Sequence, residues 1–184
     1  MILAVNGSPR RGGNSDTIIK QVAAGMKGHL CQINLRELQL RPCQGCGHCD
    51  RTGRCVFDDD ISRVYDQINR AKGLILISPI YFGSLSAQMK IFIDRGQAPW
   101  AAKERLGYRP PVGRKGYFIA VAGWKDRERF FVNAREIVEI WYRCLGIESR
   151  GEAYFSGYDE RGAIAKDPRA LDRAYAIGEG LQNW

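Results

Sequence analysis

The chain has 184 residues, of which 45% are hydrophobic and 26% are charged, and its formal net charge is +8. This composition is typical of a globular protein and excludes a disordered or fibrous chain. Lys and Arg residues are mostly spread singly, with a concentration between Lys103 and Arg150 and without a basic block or an aromatic RNA-binding motif. We therefore predict that most of this charge lies on solvated surface and that no nucleic acid is bound.

The chain is not expected to cross a membrane. Its longest apolar stretch, residues 73–83, is interrupted by Ser78 and Pro79 and is shorter than the roughly 20 residues that a membrane span requires. The first residues, 1–6, lack a basic leader and are predicted to form a strand instead of a secretory signal. We expect a cytoplasmic protein without a membrane partner.

Apolar runs alternate with amphipathic segments, which is the pattern of consecutive βα units. The first half predicts a strand, a capped helix, a strand, a long polar loop, a helix and a strand. Their predicted bounds are 1–6, 14–26 with Asn14 or Ser15 as the cap, 29–35, 36–57, 58–72 and 74–78. At about 20 residues, the loop is longer than most loops inside compact domains, and such loops usually carry function.

The second half continues the same alternation. A helix, a strand, a helix, a strand and a helix are predicted at 84–97, 115–122, 129–144, 147–154 and 167–181. Asp167 followed by Pro168 is a clear start signal, because Asp caps helices and proline fits their first turn. Five strands and five helices predict a three-layer α/β fold with a doubly wound parallel sheet, in one domain that spans residues 1–184.

The segment after the first strand, residues 7–15, joins a buried strand to a helix N-terminus, where free backbone N–H groups can bind phosphate. Ser8, Asn14 and Ser15 add neutral donors, and Arg10 adds a charged one. The segment lacks the Lys and Ser/Thr of a Walker A loop and the glycine spacing of a dinucleotide fold. It favours a terminal phosphate monoester over ATP or a dinucleotide, and an ordinary polar turn is the alternative.

Two more segments follow later strands and are therefore expected at the same edge of the sheet, where doubly wound folds bind ligands. The segments 78–84 and 122–124 carry Tyr81, Phe82 and Trp124. An apolar slot with a few backbone donors suits a flat heteroaromatic ring such as an isoalloxazine. Core packing or a subunit contact is the alternative for each aromatic side chain.

These motifs resemble those of the flavodoxin-like NADPH-dependent FMN reductases. The resemblance rests on Gly7-Ser-Pro-Arg10, Gly13-Asn-Ser15, Ser78-Pro-Ile-Tyr-Phe-Gly83, Gln88-Met-Lys90 and Asp94-Arg95. It covers most of the chain to about residue 125. It implies the flavodoxin-like strand order 2-1-3-4-5, FMN as cofactor, NAD(P)H as substrate, and a homodimer or homotetramer with the flavin near a subunit boundary.

The resemblance also implies which residues contact FMN. The phosphate would be held by Ser8, Arg10, Asn14 and Ser15. The ring would be lined by Pro79, Ile80, Tyr81, Phe82, Gly83, Ser84, Ala122, Gly123 and Trp124. No catalytic side chain is expected, because the flavin itself carries the redox chemistry.

The long loop holds four of the six cysteines, namely Cys43, Cys46, Cys49 and Cys55. Four thiolates suit zinc or an iron-sulfur cluster, and a reduced loop without metal is the third alternative. Gly45, Gly47 and Gly53 allow the backbone to fold around a small object. The loop is similar to that of the iron-sulfur flavoprotein branch, which implies a 4Fe-4S cluster on these four residues. Cys31 and Cys144 lack such spacing and are predicted to be structural.

We therefore predict an FMN-dependent oxidoreductase. It takes electrons from NAD(P)H or reduced ferredoxin and passes them, directly or through a cluster, to a small acceptor such as a quinone, a flavin or an oxygen species. A non-enzymatic electron carrier of the flavodoxin type and a zinc-stabilised binding module are the alternatives. The two histidines, His29 and His48, are not placed as a catalytic base, and no Ser/His/Asp set is apparent.

Overall fold

The computed structural model describes residues 1–26, 30–125 and 129–184. Within these residues the strands are β1 (Ile2–Asn6), β2 (Leu30–Asn34), β3 (Gly73–Tyr81), β4 (Ser84–Leu85), β5 (Arg114–Ala122) and β6 (Ile147–Ser156). The α-helices are α1 (Asn14–Gly25), α2 (His48–Thr52), α3 (Asp60–Arg70), α4 (Ala87–Asp94), α5 (Gln97–Glu104), α6 (Arg129–Cys144) and α7 (Pro168–Leu181). Short 3-10 turns cover Leu35–Glu37 and Ala163–Lys166.

Five parallel strands form the main sheet, in the order β2-β1-β3-β5-β6. The short strand β4 pairs antiparallel with the end of β3 and lies off this path. Counting the parallel strands alone, the order is the predicted 2-1-3-4-5. The flavodoxin-like α/β fold class is therefore confirmed, with β4 as an addition.

The sheet is buried on both faces, because alternate side chains of each strand enter different cores. In β1, Leu3 and Val5 belong to one core, and Ile2 and Ala4 belong to the other. Helices α3, α4 and α6 cover the first core, and α1 and α7 cover the second. The three layers follow from these two cores.

In the second half of the chain, some of the observed helix bounds agree with those predicted from the sequence. The helix over 129–144 is confirmed as α6, and Asp167 caps α7 with Pro168 in its first turn. The single helix over 84–97 is wrong, because β4, α4 and α5 occupy this region. Arg95 and Gly96 separate α4 from α5, and the Trp141 ring packs too closely on Gly96 for a side chain: an added Cβ would lie 2.6 Å from its Nε1.

The first half also differs in detail. Asn14 and Ser15 do not cap α1, since Gly13 is the cap residue. Residues 36–57 are not wholly irregular, because they contain α2. The predicted second strand begins at His29, which lies outside the described residues. Among the described helices, none is both long and apolar enough to span a membrane.

Ser86 connects three elements at the carboxyl edge of the sheet. Its hydroxyl donates to the Gly7 carbonyl at 2.7 Å and accepts from the Met89 N–H at 3.2 Å, which caps α4. Its own N–H donates to the Ser78 hydroxyl at 3.1 Å. The segment after β1 is therefore held against the end of β3 and the beginning of α4.

Replacing Ser86 with Ala should destabilise the protein by about 1–3 kcal/mol, since a helix cap is lost and the buried Gly7 carbonyl loses its donor. Urea unfolding would measure the change. Ser149→Ala, on the exposed face of β6, is the control and should change stability by less than about 0.5 kcal/mol. Equal stability of the Ser86 variant and the wild-type chain would contradict this role.

Candidate functional site

A cavity of about 290 Å³ lies at the carboxyl edge of the sheet. Its walls come from the ends of β3 and β5 and from the segments after β1 and β6. This is the edge at which doubly wound sheets bind ligands. The predicted contacts that line it are Ser8, Arg10, Asn14, Ser15, Pro79, Ile80, Tyr81, Phe82, Ala122, Gly123 and Trp124. The other two predicted contacts do not line it: Gly83 lies in the adjoining turn, and Ser84 is the first residue of β4.

Five further lining residues do not belong to the sequence motifs, namely Val121, Phe130, Phe131, Tyr158 and Asp159. Tyr158 and Asp159 follow β6, the last parallel strand. The rule that places the other segments at this edge therefore applies to them as well. Phe130 and Phe131 begin α6, and nothing in their local sequence indicates a ligand contact.

The N-terminus of α1 meets the cavity without a protein cap. Its cap residue, Gly13, makes no side-chain hydrogen bond, so the first N–H groups of the helix remain available to a ligand or to water. Ser8 and Ser15 are 4% and 2% exposed and line this end of the cavity. Backbone donors, hydroxyl groups and the helix dipole are together the features that favour an anion.

A buried ion pair folds the segment around this N-terminus. The Asp16 carboxylate accepts from the Gly12 N–H at 2.6 Å, from the Asn6 amide at 2.6 Å and from the Arg36 guanidinium at 3.0 Å. Both charged side chains are only 11% exposed. Because Arg36 neutralises Asp16, this carboxylate does not add an uncompensated negative charge beside an incoming anion.

Asn14 holds the segment after β6 against α1. Its amide N–H groups donate to the carbonyls of Tyr158 and Glu160, both at 3.0 Å, and its Oδ1 accepts from the Ile164 N–H at 3.1 Å. These bonds occupy the two N–H donors of the amide. Asn14 therefore positions residues 158–164, and its direct contact with a phosphate stays a prediction.

Arg10 has more donors to spare. Its Nη1 donates to the Asp159 carbonyl at 2.9 Å, which uses one of the five N–H groups of a guanidinium. The side chain is exposed at the rim of the cavity. Arg10 can therefore hold the segment after β6 and donate to an anion at the same time.

The segment after β6 is fixed at two further points. The Tyr158 hydroxyl donates to the Asp167 carboxylate at 2.6 Å, and burial together with this carboxylate raises the pKa of Tyr158 to about 12. The phenol thus stays protonated at neutral pH. Asp159 packs against Gly123, where a Cβ would lie 2.8 Å from the Asp159 Oδ1, so a side chain at this position would displace the segment.

The aromatic part of the site lies in two turns. Phe82 has a positive φ of 51° and a fully exposed side chain, and Gly83 follows with a φ of 73°. Trp124 is 55% exposed and its ring packs on Phe130 with the centroids 4.7 Å apart. Exposed aromatic groups beside a cavity indicate a binding surface, and left-handed backbone at a bulky residue is often found at functional sites.

The four loop cysteines line a second cavity, of about 440 Å³. Gly45, Gly47 and Gly53, which separate them, all have positive φ values between 63° and 68°. Burial and the neighbouring Asp50 raise the pKa of the Cys49 thiol, and Cys43 and Cys55 add to this effect. The loop therefore folds its thiols around one space, as the glycine pattern indicates.

The four thiols do not converge on one point. Among the described residues, which include all four, no group of three or more His, Cys, Asp or Glu side chains could hold a single metal ion. His48 begins α2, and its carbonyl accepts a hydrogen bond from the Thr52 hydroxyl at 3.0 Å. In this structure the four thiols surround a cavity and do not form a coordination site for a single metal ion.

Comparison with protein families gives a match over most of the chain. The profile of the family described as NADPH-dependent FMN reductase matches residues 1–141. The structure is similar to that of an NAD(P)H:quinone oxidoreductase from Methanothermobacter marburgensis, with a TM-score of 0.72, 16% identity and 98% of each chain covered. It is also similar to an FMN-dependent NADH-azoreductase from Bacillus anthracis in complex with FMN, with a TM-score of 0.70, 14% identity and 99% of each chain covered.

Several curated relatives are called iron-sulfur flavoproteins. One, from Methanocaldococcus jannaschii, is 35% identical over 99 residues, which are 52% of this chain and 51% of that protein. Another, from Methanosarcina thermophila, is 32% identical over 119 residues, which are 61% and 62%. These matches span about half to under two thirds of those relatives. A putative NAD(P)H-dependent FMN-containing oxidoreductase from Bacillus subtilis is 26% identical over 175 residues, with 94% and 93% covered.

Replacing Asn14 with Ala should release residues 158–164, because three of their backbone groups lose their partner. We expect a loss of about 1–3 kcal/mol in the free energy of unfolding and faster hydrogen exchange at the Ile164 N–H. Asn183→Ala, at an exposed position near the C-terminus, is the control. Unchanged exchange at Ile164 in the Asn14 variant would show that the segment is held by other contacts.

Proposed function

The chain belongs to the NADPH-dependent FMN reductase family, and from that premise we propose that it is an FMN-dependent oxidoreductase. It takes electrons from NAD(P)H or reduced ferredoxin and passes them to a small acceptor such as a quinone, a flavin or an oxygen species. The observation that carries the proposal is one cavity in which an uncapped helix N-terminus adjoins an aromatic slot. Fold similarity to an azoreductase in complex with FMN supports it.

The residues of this cavity fit FMN. The phosphate end of the cavity offers hydrogen-bond donors, which suits a dianionic monoester. These donors are the first N–H groups of α1, the hydroxyls of Ser8 and Ser15 and the guanidinium of Arg10. At the ring end, Tyr81, Phe82 and Trp124 provide apolar surface. When bound, FMN would supply the hydride-accepting and one-electron chemistry.

The residues of the chain itself would bind FMN and orient its ring. Charge-assisted hydrogen bonds from Arg10 would contribute about 1.5–3 kcal/mol, more than the roughly 0.3–1 kcal/mol of the helix dipole. Backbone N–H groups at the ends of β3 and β5 would face the polar edge of the ring and favour its anionic reduced form. No side-chain base is required, because the flavin itself would carry the redox chemistry.

A homodimer or homotetramer with the cavity near the subunit boundary is part of the proposal. Three exposed large side chains, Phe82, Trp124 and Val132, lie on the turns around the cavity or on the adjoining first turn of α6. Apolar side chains grouped around a polar site mark a surface that a partner or a substrate covers. The same surface is where a nicotinamide or an acceptor would reach the ring.

We also propose that the four loop cysteines hold a 4Fe-4S cluster. They line one cavity of about 440 Å³, and four thiolates are the usual ligands of such a cluster. Similarity to proteins named iron-sulfur flavoproteins supports this choice. The thiolates of Cys43, Cys46, Cys49 and Cys55 would ligate the cluster.

Replacing Arg10 with Gln should weaken FMN binding about 10- to 150-fold, which corresponds to the loss of one charge-assisted interaction of 1.5–3 kcal/mol. The dissociation constant can be measured by quenching of flavin fluorescence on titration. At subsaturating FMN, the rate of NAD(P)H oxidation with a quinone acceptor should fall in proportion to flavin occupancy. Full rates at saturating FMN are expected, because Arg10 acts on binding.

Arg11→Gln is the matched control, since this adjacent side chain is 72% exposed and pairs with Glu37 outside the cavity. It should leave the dissociation constant within about twofold. Equal FMN affinity of the Arg10 variant and the wild-type chain would contradict the phosphate assignment. FMN-loaded protein that oxidises neither NAD(P)H nor reduced ferredoxin would contradict the enzymatic proposal and favour an electron carrier.

Replacing Cys49 with Ala should remove iron from anaerobically prepared protein and leave the FMN content unchanged, because the cysteines and the FMN cavity share no lining residues. Iron and flavin counts with a visible spectrum would measure both. Cys31→Ala, in β2, is the control and should retain iron. Zinc in place of iron, in protein prepared with both metals available, would contradict the cluster.

A further inference from the structure

Arg95 is a buried cation beside the cysteine loop. It follows α4 and is 2% exposed. Its Nη1 and Nη2 form paired hydrogen bonds with the Asp59 carboxylate, at 2.7 and 3.0 Å. The Asp59 carboxylate also accepts from the Ser62 N–H and caps α3. The buried charge is therefore neutralised by one partner with two-point geometry.

The same guanidinium holds both ends of the loop. Nη1 also donates to the Arg41 carbonyl at 3.0 Å, just before the first of the four cysteines. The guanidinium lies over the Phe57 ring, 5.1 Å from its centroid, just after the last of them. One side chain thus contacts the backbone where the loop begins and an aromatic ring where the loop ends.

One N–H group of Arg95 has no hydrogen-bond acceptor among the described residues. This group is the Nε, which is buried. A buried donor without a partner costs about 1–3 kcal/mol. Native proteins rarely leave such a group unless a bound species satisfies it.

Cys55 is a neighbour of the Arg95 guanidinium. Cys55 and Arg95 line the same cavity with the other three cysteines. Burial lowers the pKa of the Arg95 guanidinium, but Asp59 and the neighbouring Cys55 sulfur raise it above its ordinary value. A cation with a spare N–H therefore adjoins one of the four thiols.

We propose that Arg95 donates a hydrogen bond to the Cys55 thiolate of the cluster and that the Arg95–Asp59 pair sets the reduction potential of that cluster. The inference rests on the proposed function, in which the loop holds a 4Fe-4S cluster. Hydrogen bonds to the sulfurs and nearby charge are among the means by which proteins set such potentials. Arg95 is thus a positioning residue that acts through Cys55.

Opposite changes in charge should move the potential in opposite directions. Reduction adds one electron to the cluster, so a nearby positive charge favours the reduced form. Arg95→Gln removes the cation and leaves the Asp59 carboxylate, which should lower the potential. Asp59→Asn leaves the cation without its counter-charge, which should raise the potential, and Asn still caps helices well. A purely structural role would not give shifts of opposite sign.

The test is an anaerobic redox titration of the full chain reconstituted with FMN and iron, with the cluster followed by electron paramagnetic resonance. At a fixed solution potential, the ratio of reduced to oxidised cluster should fall about tenfold or more in Arg95→Gln and rise about tenfold or more in Asp59→Asn. Tenfold corresponds to 59 mV for a one-electron couple. The double variant Arg95→Gln/Asp59→Asn should lie between the single variants.

Two further variants complete the design. Arg105→Gln removes an exposed charge that lies 4.0 Å from the loop residue Asp50, and solvent screening should keep its shift below about threefold. Arg95→Lys keeps the charge without the two-point geometry, so its shift should be smaller than that of Arg95→Gln. If Arg95→Gln fails to fold by circular dichroism, Asp59→Asn and Arg95→Lys carry the test.

Shifts of the same sign in Arg95→Gln and Asp59→Asn, or unchanged potentials in both, would overturn the inference. A wild-type chain that holds the cluster in the same experiment would leave the proposed function intact. A wild-type chain that takes up no iron under reconstitution would overturn the proposed cluster and this inference with it. The two failures are therefore distinguishable by the iron content of the wild-type protein.

Discussion

The uncapped N-terminus of α1 is the constraint on which the rest of the candidate site depends. A buried helix end normally finds a side-chain cap, and here the cap residue is Gly13, which offers none. Asp16 is in the first turn, but its carboxylate turns back to the Gly12 N–H and to Arg36. The surrounding contacts thus hold the loop in place and leave the helix amides open toward the cavity.

Two buried Arg–Asp pairs have the same role at the two cavities. Arg36 with Asp16 folds the segment beside the helix N-terminus, and Arg95 with Asp59 folds the segment that carries the cysteines. Each pair fixes a backbone segment that lies outside the sheet and its covering helices. The Nε of each Arg is buried without a hydrogen-bond partner among the described residues. Such pairs contribute local geometry more than net stability, because desolvation offsets most of their attraction.

The alternation of apolar and amphipathic segments was sufficient to predict the parallel sheet and α6, since these depend on local periodicity and on the rules of parallel sheets, whereas the strand order was implied by the family resemblance. The cap of α1 could not be predicted, because Asn14 bonds to residues 144 to 150 positions away in the sequence. The close packing of Trp141 on Gly96 could not be predicted either, because Trp141 comes from another helix, α6. The part of the site after β6 was predictable from topology, whereas Phe130 and Phe131 enter it only through the packing of α6.

Binding of FMN at this helix terminus can be tested with a crystal structure of the chain reconstituted with FMN. We expect the phosphate at the N-terminus of α1, within hydrogen-bonding distance of the Ser15 N–H and the Arg10 guanidinium. We expect the ring between the turn of Tyr81 and Phe82 and the side chain of Trp124. A phosphate bound elsewhere, or a helix terminus that holds only water while FMN is bound at saturation, would contradict this expectation.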